Sequence, residues 1–213
     1  MISFGCFINI TFMVDINLLL KLGAVFKKVS ADQIIFSEGE PCFFYNQLVS
    51  GKVRWVNICD EGKECIHSIV EPGESFGELP LFDGGNYAAT AISIEDSVII
   101  KLRKPFFLEL VKENPEMHFA FTTLLAKRLR FKFEVLKSYG TNCPEDRIIT
   151  LLNHLKLENK SFCCDCDQLK LTRQQIADMT GLRVETVIRT MRIMHEKGEL
   201  MISKGKVYCK NVI

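Results

Sequence analysis

One segment, LTRQQIADMTGLRVETVIRTMRIMHEKGEL from Leu171 to Leu200, constrains this chain more than any other. It reads as two short helices joined by a tight turn. Thr172 is placed to cap the first helix, and Gln175, three residues on, completes a capping box. Ile176, Ala177 and Met179 give that helix an apolar face. Thr180-Gly181-Leu182 ends it, since glycine accepts the left-handed backbone that such a turn requires. The second helix is expected to bury Val184, Val187, Ile188, Met191 and Met194. Its other side carries Glu185, Arg189, Arg192 and Glu196 in line. A row of arginines on a helix is commonly no more than a solvated face. Here the charge balance argues otherwise: Gln168 to Ile213 holds nine Lys/Arg against four Asp/Glu, a local +5 in a chain of net +1. Met201-Ile202-Ser203 and Val207-Tyr208-Cys209 flank Lys204-Gly205-Lys206, which reads as a basic hairpin wing for phosphate contacts. A helix mounted in this way lies in the major groove, where its N-terminal half reads base edges. The expectation is sequence-specific binding of double-stranded DNA.

The remaining 170 residues have a different rhythm. Glycines recur at 39, 51, 62 and 73, the pace of one strand and one turn per step in an antiparallel roll. The runs Gln33–Ser37, Phe43–Val49, Lys52–Cys59, Glu64–Val70 and Ala88–Leu102 are rich in Ile, Val and Phe. The last is expected to split near Ile94-Glu95-Asp96. Phe43, Phe44, Trp55, Phe76 and Phe82 are read as the core of the roll. Before it, Met1 to Leu22 is apolar, but Asp15 and two asparagines interrupt it and no basic residue precedes it. It fits neither a membrane span nor a secretion signal, and a short helix is expected over Asn17 to Leu22. Nine cysteines without a regular framework suggest reduced thiols and a cytoplasmic protein.

After Pro105 the apolar period becomes helical. Phe106 to Val111 reads as a short helix, and Asn114-Pro115 opens a long one that reaches about Ser138. His118, Phe121, Leu125, Leu129, Lys132 and Leu136 fall in one line along it. A second apolar group comprises Phe119, Leu124, Phe131, Phe133 and Val135. A long helix with two apolar sides packs on its own domain and on a second copy, so the first line is assigned to a homodimer interface. Tyr139 to Pro144 reads as a hinge. The fold class is therefore α+β: an N-terminal antiparallel β-roll of jelly-roll type over residues 1–113, a long dimerisation helix and hinge over 114–140, and a C-terminal winged helix-turn-helix over 141–213.

A glycine-paced roll, a long helix and then a winged helix-turn-helix resembles the CRP/FNR family of bacterial transcription regulators. The resemblance covers roughly Leu20 to the C-terminus. Its most specific pieces are GESFGELPLFDGG, Gly73 to Gly85, which is similar to the family's phosphate-binding cassette, and the reader LTRQQIADMTGLRVETVIR. The resemblance implies that Glu185 and Arg189 read a G·C-containing step in each half-site, where a carboxylate accepts from cytosine and a guanidinium donates to guanine. It implies phosphate contacts for Thr172, Arg173 and Thr186, with Arg192 as a further basic position. Arg183, Lys204 and Lys206 complete the expected DNA-binding set. Val184 stands where the cAMP-receptor branch has arginine and the FNR branch valine, so a TTGA-like or TGA-like half-site is expected. RNA polymerase is the further partner the family implies; no membrane is.

At the sensor end the chain departs from the cyclic-nucleotide pattern. The resemblance places an effector pocket at Gly77, Glu78, Leu79, Ala88, Ala89, Lys132 and Phe133. Gly77 and Glu78 match residues that hold the ribose. Ala88 and Ala89 stand where an arginine and a serine would hold the cyclic phosphate, and Lys132 and Phe133 stand where a threonine and a serine would hold the adenine. A buried phosphate without cation or hydroxyl carries a large desolvation cost, so cAMP is disfavoured and the effector stays unassigned. An oxygen-sensing cluster needs closely spaced N-terminal cysteines, and only Cys6 lies there. Cys163, Cys164 and Cys166 are candidates for a soft metal or for oxidation, although zinc sites favour paired spacing and no fourth ligand is evident. Histidines 67, 118, 154 and 195 show no ligand pairing. A haem ligand at His67 or His118 is conceivable, because the family contains haem-dependent members. No catalytic motif is found, so an enzyme is not expected. The alternatives left open are a cyclic-nucleotide-dependent or haem/redox-sensing member of the same family, and a ligand-binding module without DNA function.

Overall fold

The computed structural model describes residues 13–59 and 62–209. Cys6 and the lead-in before Met13 lie outside this range. Contact between elements divides the described chain into two compact units, one running up to Ile58 with His67–His118, the other comprising Cys59–Ile66 and Phe119 onwards.

The first unit begins with helix α1 (Ile16–Lys21), started by Asp15, whose carboxylate accepts the Leu18 N–H at 2.9 Å. The strands follow as β1 (Val25–Val29), β2 (Ile34–Phe36), β3 (Phe44–Ser50), β4 (Val53–Ile58), β5 (Glu64–Val70), β6 (Ser75–Phe76), β7 (Thr90–Ser93) and β8 (Ser97–Arg103). They form two four-stranded sheets, ordered β1-β8-β3-β6 and β2-β7-β4-β5. Tyr45, Leu48, Val53, Val56, Phe76, Ile99, Ile100 and Leu102 are buried in the roll. The run from Ala88 to Leu102 breaks at Glu95, as its acidic pair suggests. Ser93 and Ser97 both donate hydroxyl hydrogen bonds to the Glu95 carbonyl at 2.7 Å and so close the turn. Helix α2 (Leu79–Asp83) sits in the cassette, and α3 (Lys104–Glu113) follows β8. Phe107 of α3 stacks on Tyr45 at 4.5 Å and ties that helix to the sheet.

Two core assignments need correction. Phe43 is 63% exposed and Phe82 is 37% exposed, whereas Trp55 and Phe76 are buried. Phe43 stands just before β3, where the pleat has not yet begun to turn alternate residues inward. Strands β1 and β6 escaped the sequence reading. The former, VFKKV, is largely exposed and lysine-bearing, and the latter is only two residues long.

Helix α4 (Pro115–Gly140) is followed by α5 (Pro144–Leu157), α6 (Arg173–Thr180), α7 (Val184–Glu196) and the hairpin β9 (Met201–Ser203) and β10 (Lys206–Tyr208). The proposed line along α4 is corrected at one position. Phe121 is fully buried within the chain and cannot meet a second copy. The bare apolar residues are Phe119, Leu129, Phe133 and Leu136, all more than half exposed. With exposed Thr122 and Ala126 they recur at alternating intervals of three and four, the spacing that a coiled-coil seam would have. Leu129 and Leu136 belong to both lines, Leu125 is half-buried, and His118 and Lys132 are exposed alongside. Periodicity alone could not say which of two apolar sides faces inward.

Helices α5, α6 and α7 close around Ile148, Leu151, Leu152, Leu155, Ile176, Ala177, Val187, Met191 and Met194. Ile188, expected inside, is 45% exposed, and Thr190 takes a buried place instead. Lys197 at the end of α7 bonds both carboxylate oxygens of Glu145 at 2.8 Å and fastens it to the start of α5. No helix among the described residues is long and apolar enough to cross a membrane.

Candidate nucleic-acid interface and sensor pocket

The candidate reader is assembled from local chemistry. Thr172 Oγ1 accepts the Gln175 N–H at 3.1 Å, and Gln175 Oε1 accepts the Thr172 N–H at 2.9 Å. This reciprocal capping box fixes where α6 begins. Gly181 ends it in the left-handed region, φ 67°, where a side chain would be strained. The chain then turns directly into α7. Val187, Thr190, Met191 and Met194 hold α7 to the body of the domain, which leaves Glu185, Ile188, Arg189, Arg192, Ile193 and Glu196 facing out. The α7 face thus presents two guanidinium groups and a first-turn carboxylate.

The wing follows at once. Strands β9 and β10 pair Ser203 with Lys206 across a two-residue turn, Lys204-Gly205. Both turn residues have positive φ, 48° and 77°, the backbone of a tight hairpin turn that matches strand twist. Lys204 and Lys206 are exposed at its tip. Arg183, just before α7, is exposed, Thr172 is exposed, and Arg173 and Thr186 are half-buried. All nine residues assigned to DNA therefore lie in one compact unit, on or beside α6, α7 and the wing.

The cassette residues of the candidate effector pocket lie in the first unit. Glu78 is fully buried at the start of α2, and Ala89 is buried while Ala88 is exposed. The carbonyls of Ala88 and Ala89 accept hydrogen bonds from Asn57 Nδ2 at 2.9 Å and Trp55 Nε1 at 3.3 Å. Asn57 is bonded in turn to His67 Nε2. Phe36 and Tyr87 stack face to face at 3.7 Å, and both are buried. A Cβ added at Gly77 would come within 2.5 Å of Phe36 Cζ and 3.0 Å of Tyr87 Cε1. Backbone bonds from Gly39 N–H to the Tyr87 carbonyl and from Tyr87 N–H to the Glu40 carbonyl, at 2.8 and 2.9 Å, hold Tyr87 in place. Burial and then a hydrogen bond with Cys42 push the Tyr87 phenol up, so it stays protonated. From Gly77 to Ala89 there is no lysine or arginine. Lys132 and Phe133 stand exposed on α4, in the other unit.

Comparison with known proteins places both halves. Residues 26–114 match the cyclic nucleotide-binding domain family, and residues 146–212 match the Crp-like helix-turn-helix domain family. The chain is 28% identical over 180 residues to the cyclic AMP receptor protein of Thermus thermophilus, covering 81% of each chain. It is 29% identical over 181 residues to the cAMP-activated global transcriptional regulator CRP of Haemophilus influenzae, covering 84% of this chain and 80% of that one. In fold it superposes on FixK2 of Bradyrhizobium japonicum with a TM-score of 0.73 at 22% identity, over 88% of this chain and 93% of that structure. The decisive observation is the order: a cyclic nucleotide-binding domain followed by a Crp-like reader on one chain. This chain belongs to the CRP/FNR family of transcription regulators.

Within this CRP/FNR regulator, the reader was legible from sequence and part of the sensor was not. Ile188 was missed as a surface residue, although it lies three residues after Glu185 and four before Arg192. That spacing put it on the outer face. Phe36 and Tyr87 were missed because they are far apart in sequence and meet only through the pairing of the roll.

Proposed function

We propose that this CRP/FNR regulator acts as a homodimer that reads a palindromic duplex with TTGA-like or TGA-like half-sites, and that its sensor does not respond to cAMP. The observation that carries the first part is the outward face of α7. Glu185, Arg189 and Arg192 stand clear of the core beside a wing bearing Lys204 and Lys206. Arg189 donates to guanine O6 and N7, Glu185 accepts from cytosine N4, and exposed Ile188 is suited to a thymine methyl. Thr172, Arg173, Arg183, Thr186 and Arg192, with the wing lysines, supply phosphate contacts that set register. Dimerisation through the bare seam of α4 spaces the two readers for half-sites one helical turn apart.

The functional division follows: residues 1–113 sense, 114–140 dimerise and bend, and 141–213 read. RNA polymerase is the protein partner expected of a regulator of this family, and the cytoplasm is the compartment where both partners and free thiols occur.

The second part rests on the cassette. An aromatic stack packs against Gly77, alanines stand at the positions of the phosphate-holding pair, and the stretch Gly77 to Ala89 carries no lysine or arginine of its own. A second reading, cAMP dependence, is favoured by identity to receptors named for cAMP and by the retained Gly77-Glu78. Fluorescence anisotropy of the reduced protein on a TTGA palindrome at fixed salt, with and without cAMP, separates the two. Tight binding unchanged by cAMP supports the proposal. Binding that appears only with cAMP overturns its sensor half, and no preference for the palindrome over scrambled duplex overturns its reader half.

A further inference from the structure

The loop between α5 and α6 is a small hairpin with cysteines at its tip. Phe162 bridges Leu169, the Cys163 N–H donates to the Gln168 carbonyl at 2.9 Å, and the Asp167 N–H donates back to the Cys163 carbonyl at 3.1 Å. Cys163-Cys164-Asp165-Cys166 is thus a C-x-x-C unit wrapped into one turn. The Asp167 N–H to Cys163 carbonyl bond closes a single five-residue turn that holds both end cysteines, and a disulfide bridges Cα atoms up to about 7 Å apart. The Cys166 thiol and the backbone of Asp165 and Cys166 lie on the same turn as the Cys163 thiol and favour its thiolate. Cys164 and Cys166 are exposed and Cys163 is partly so. Among the described residues no group of three or more His, Cys, Asp or Glu is placed to hold a metal ion. The arrangement suits two-sulfur chemistry.

We propose that Cys163 and Cys166 form a reversible dithiol–disulfide pair that exchanges with low-molecular-weight disulfides, and that closing the pair shifts the wing. The Cys163 thiolate attacks one sulfur of R–S–S–R. The S–S bond breaks, one RS⁻ leaves, and a mixed disulfide forms on Cys163. Cys166 releases its proton to water and attacks Cys163 Sγ, forming the Cys163–Cys166 bond and expelling the second RS⁻. Two electrons pass from the cysteine pair to the small disulfide, which ends as two thiols.

The environment singles out the attacking group. Hydrogen bonds from the Asp165 backbone and then from Cys166, with Lys170 nearby, hold the Cys163 thiol below its ordinary value. Burial instead pushes the Cys209 thiol up to about 11, which keeps it out of exchange. The link to the wing is a set of backbone bonds. Gln168 bridges Tyr208, the Leu169 N–H donates to the Val207 carbonyl at 2.9 Å, and the Cys209 N–H donates to the Asp167 carbonyl at 3.1 Å. Asp167, at φ 53°, is held by Cys163 on one side and by Cys209 on the other. Tightening the turn moves Asp167 and, through it, β10 with Lys206.

The pair stands by itself, whereas the effect on DNA rests on the reading proposed above. Full-length protein equilibrated with reduced and oxidised glutathione is digested and mapped by mass. The expected product is the peptide containing Cys163 and Cys166, lighter by about 2 Da and recovered by dithiol reduction. Cys164→Ser keeps it, and Cys163→Ser or Cys166→Ser abolishes it. Glutathione trapped permanently on single cysteines, or bonds joining other cysteines, overturns the pair. Faster alkylation of Cys163 than of Cys209 in the wild type supports it without any variant, and equal rates overturn it. Oxidised protein is expected to bind the duplex about threefold to tenfold more weakly than reduced protein, as when a phosphate contact is lost. Equal affinities overturn the coupling to the wing. If neither form binds duplex, the reader proposal fails while the mass map still decides the pair.

Discussion

Arg189 and Lys204 are both exposed cations on the same unit, yet they are expected to fail differently. Arg189→Ala removes a bidentate donor to guanine and is expected to cost about 1–3 kcal/mol and to relax preference at one base pair. Lys204→Ala removes a phosphate contact, weakens binding to every sequence alike and lowers the salt slope by about one. Anisotropy titrations over several salt concentrations and duplexes check both. His154 offers a residue-scale prediction about stability. Its ring stacks on Phe131 at 3.5 Å, and burial holds its pKa down to about 4, with Lys160 and Lys132 adding and Glu158 opposing. The unfolded chain binds that proton at a pH near 6.5, so the contribution to stability is full above about pH 6.5 and is lost as pH falls toward 4. Solvent screening of a half-exposed ring limits it to about 1–2 kcal/mol. Urea unfolding at pH 7.5 and pH 5 is expected to show the loss in the wild type and less of it in His154→Phe. Single residues were legible where spacing alone fixes direction, as for Glu185 and Arg189. They were illegible where contact depends on distant strands, as for Phe36 on Tyr87.

At the scale of elements, the seam on α4 carries the clearest consequence. Leu129→Glu places a carboxylate among Phe133, Ala126 and Leu136 on the bare face. It is expected to shift sedimentation from dimer to monomer with helix content preserved, because Leu129 is already 57% exposed in the single chain. Phe121→Glu, by contrast, is expected to unfold the chain, since that side chain is fully buried. The sequence announced the length of α4 and its two apolar sides but assigned Phe121 to the wrong one. The hydrophobic period is the same on both sides, and only packing chooses between them. The roll was readable through its spaced glycines and β-branched runs. Strands β1 and β6 were not, because an exposed edge and a two-residue strand leave no alternation to read. The capping box and Gly181 located α6 and its end closely, because those signals act within a single turn of chain.

For the whole molecule, two linked readers are expected to exceed one. If the dimer engages both half-sites together, a duplex with a single half-site is expected to bind about a hundredfold or more weakly than the palindrome, at equal length and salt. Equal affinities for the two duplexes would mean that the readers act singly. The order of parts was legible along the chain, since each part has its own period. The set of side chains around the cassette was not, since it exists only after folding.

Phe119, Leu129, Phe133 and Leu136 lie bare on the single chain. If the proposed dimer covers them, the amount covered rises with the square of the amount of protein made while that amount stays well below the dissociation constant. Newly synthesised copies would meet proteases and chaperones with that seam open, and would escape them only by finding one another. Gene output would then rise with expression more steeply than in proportion, and a cell could set a threshold by rate of synthesis alone, without any small messenger.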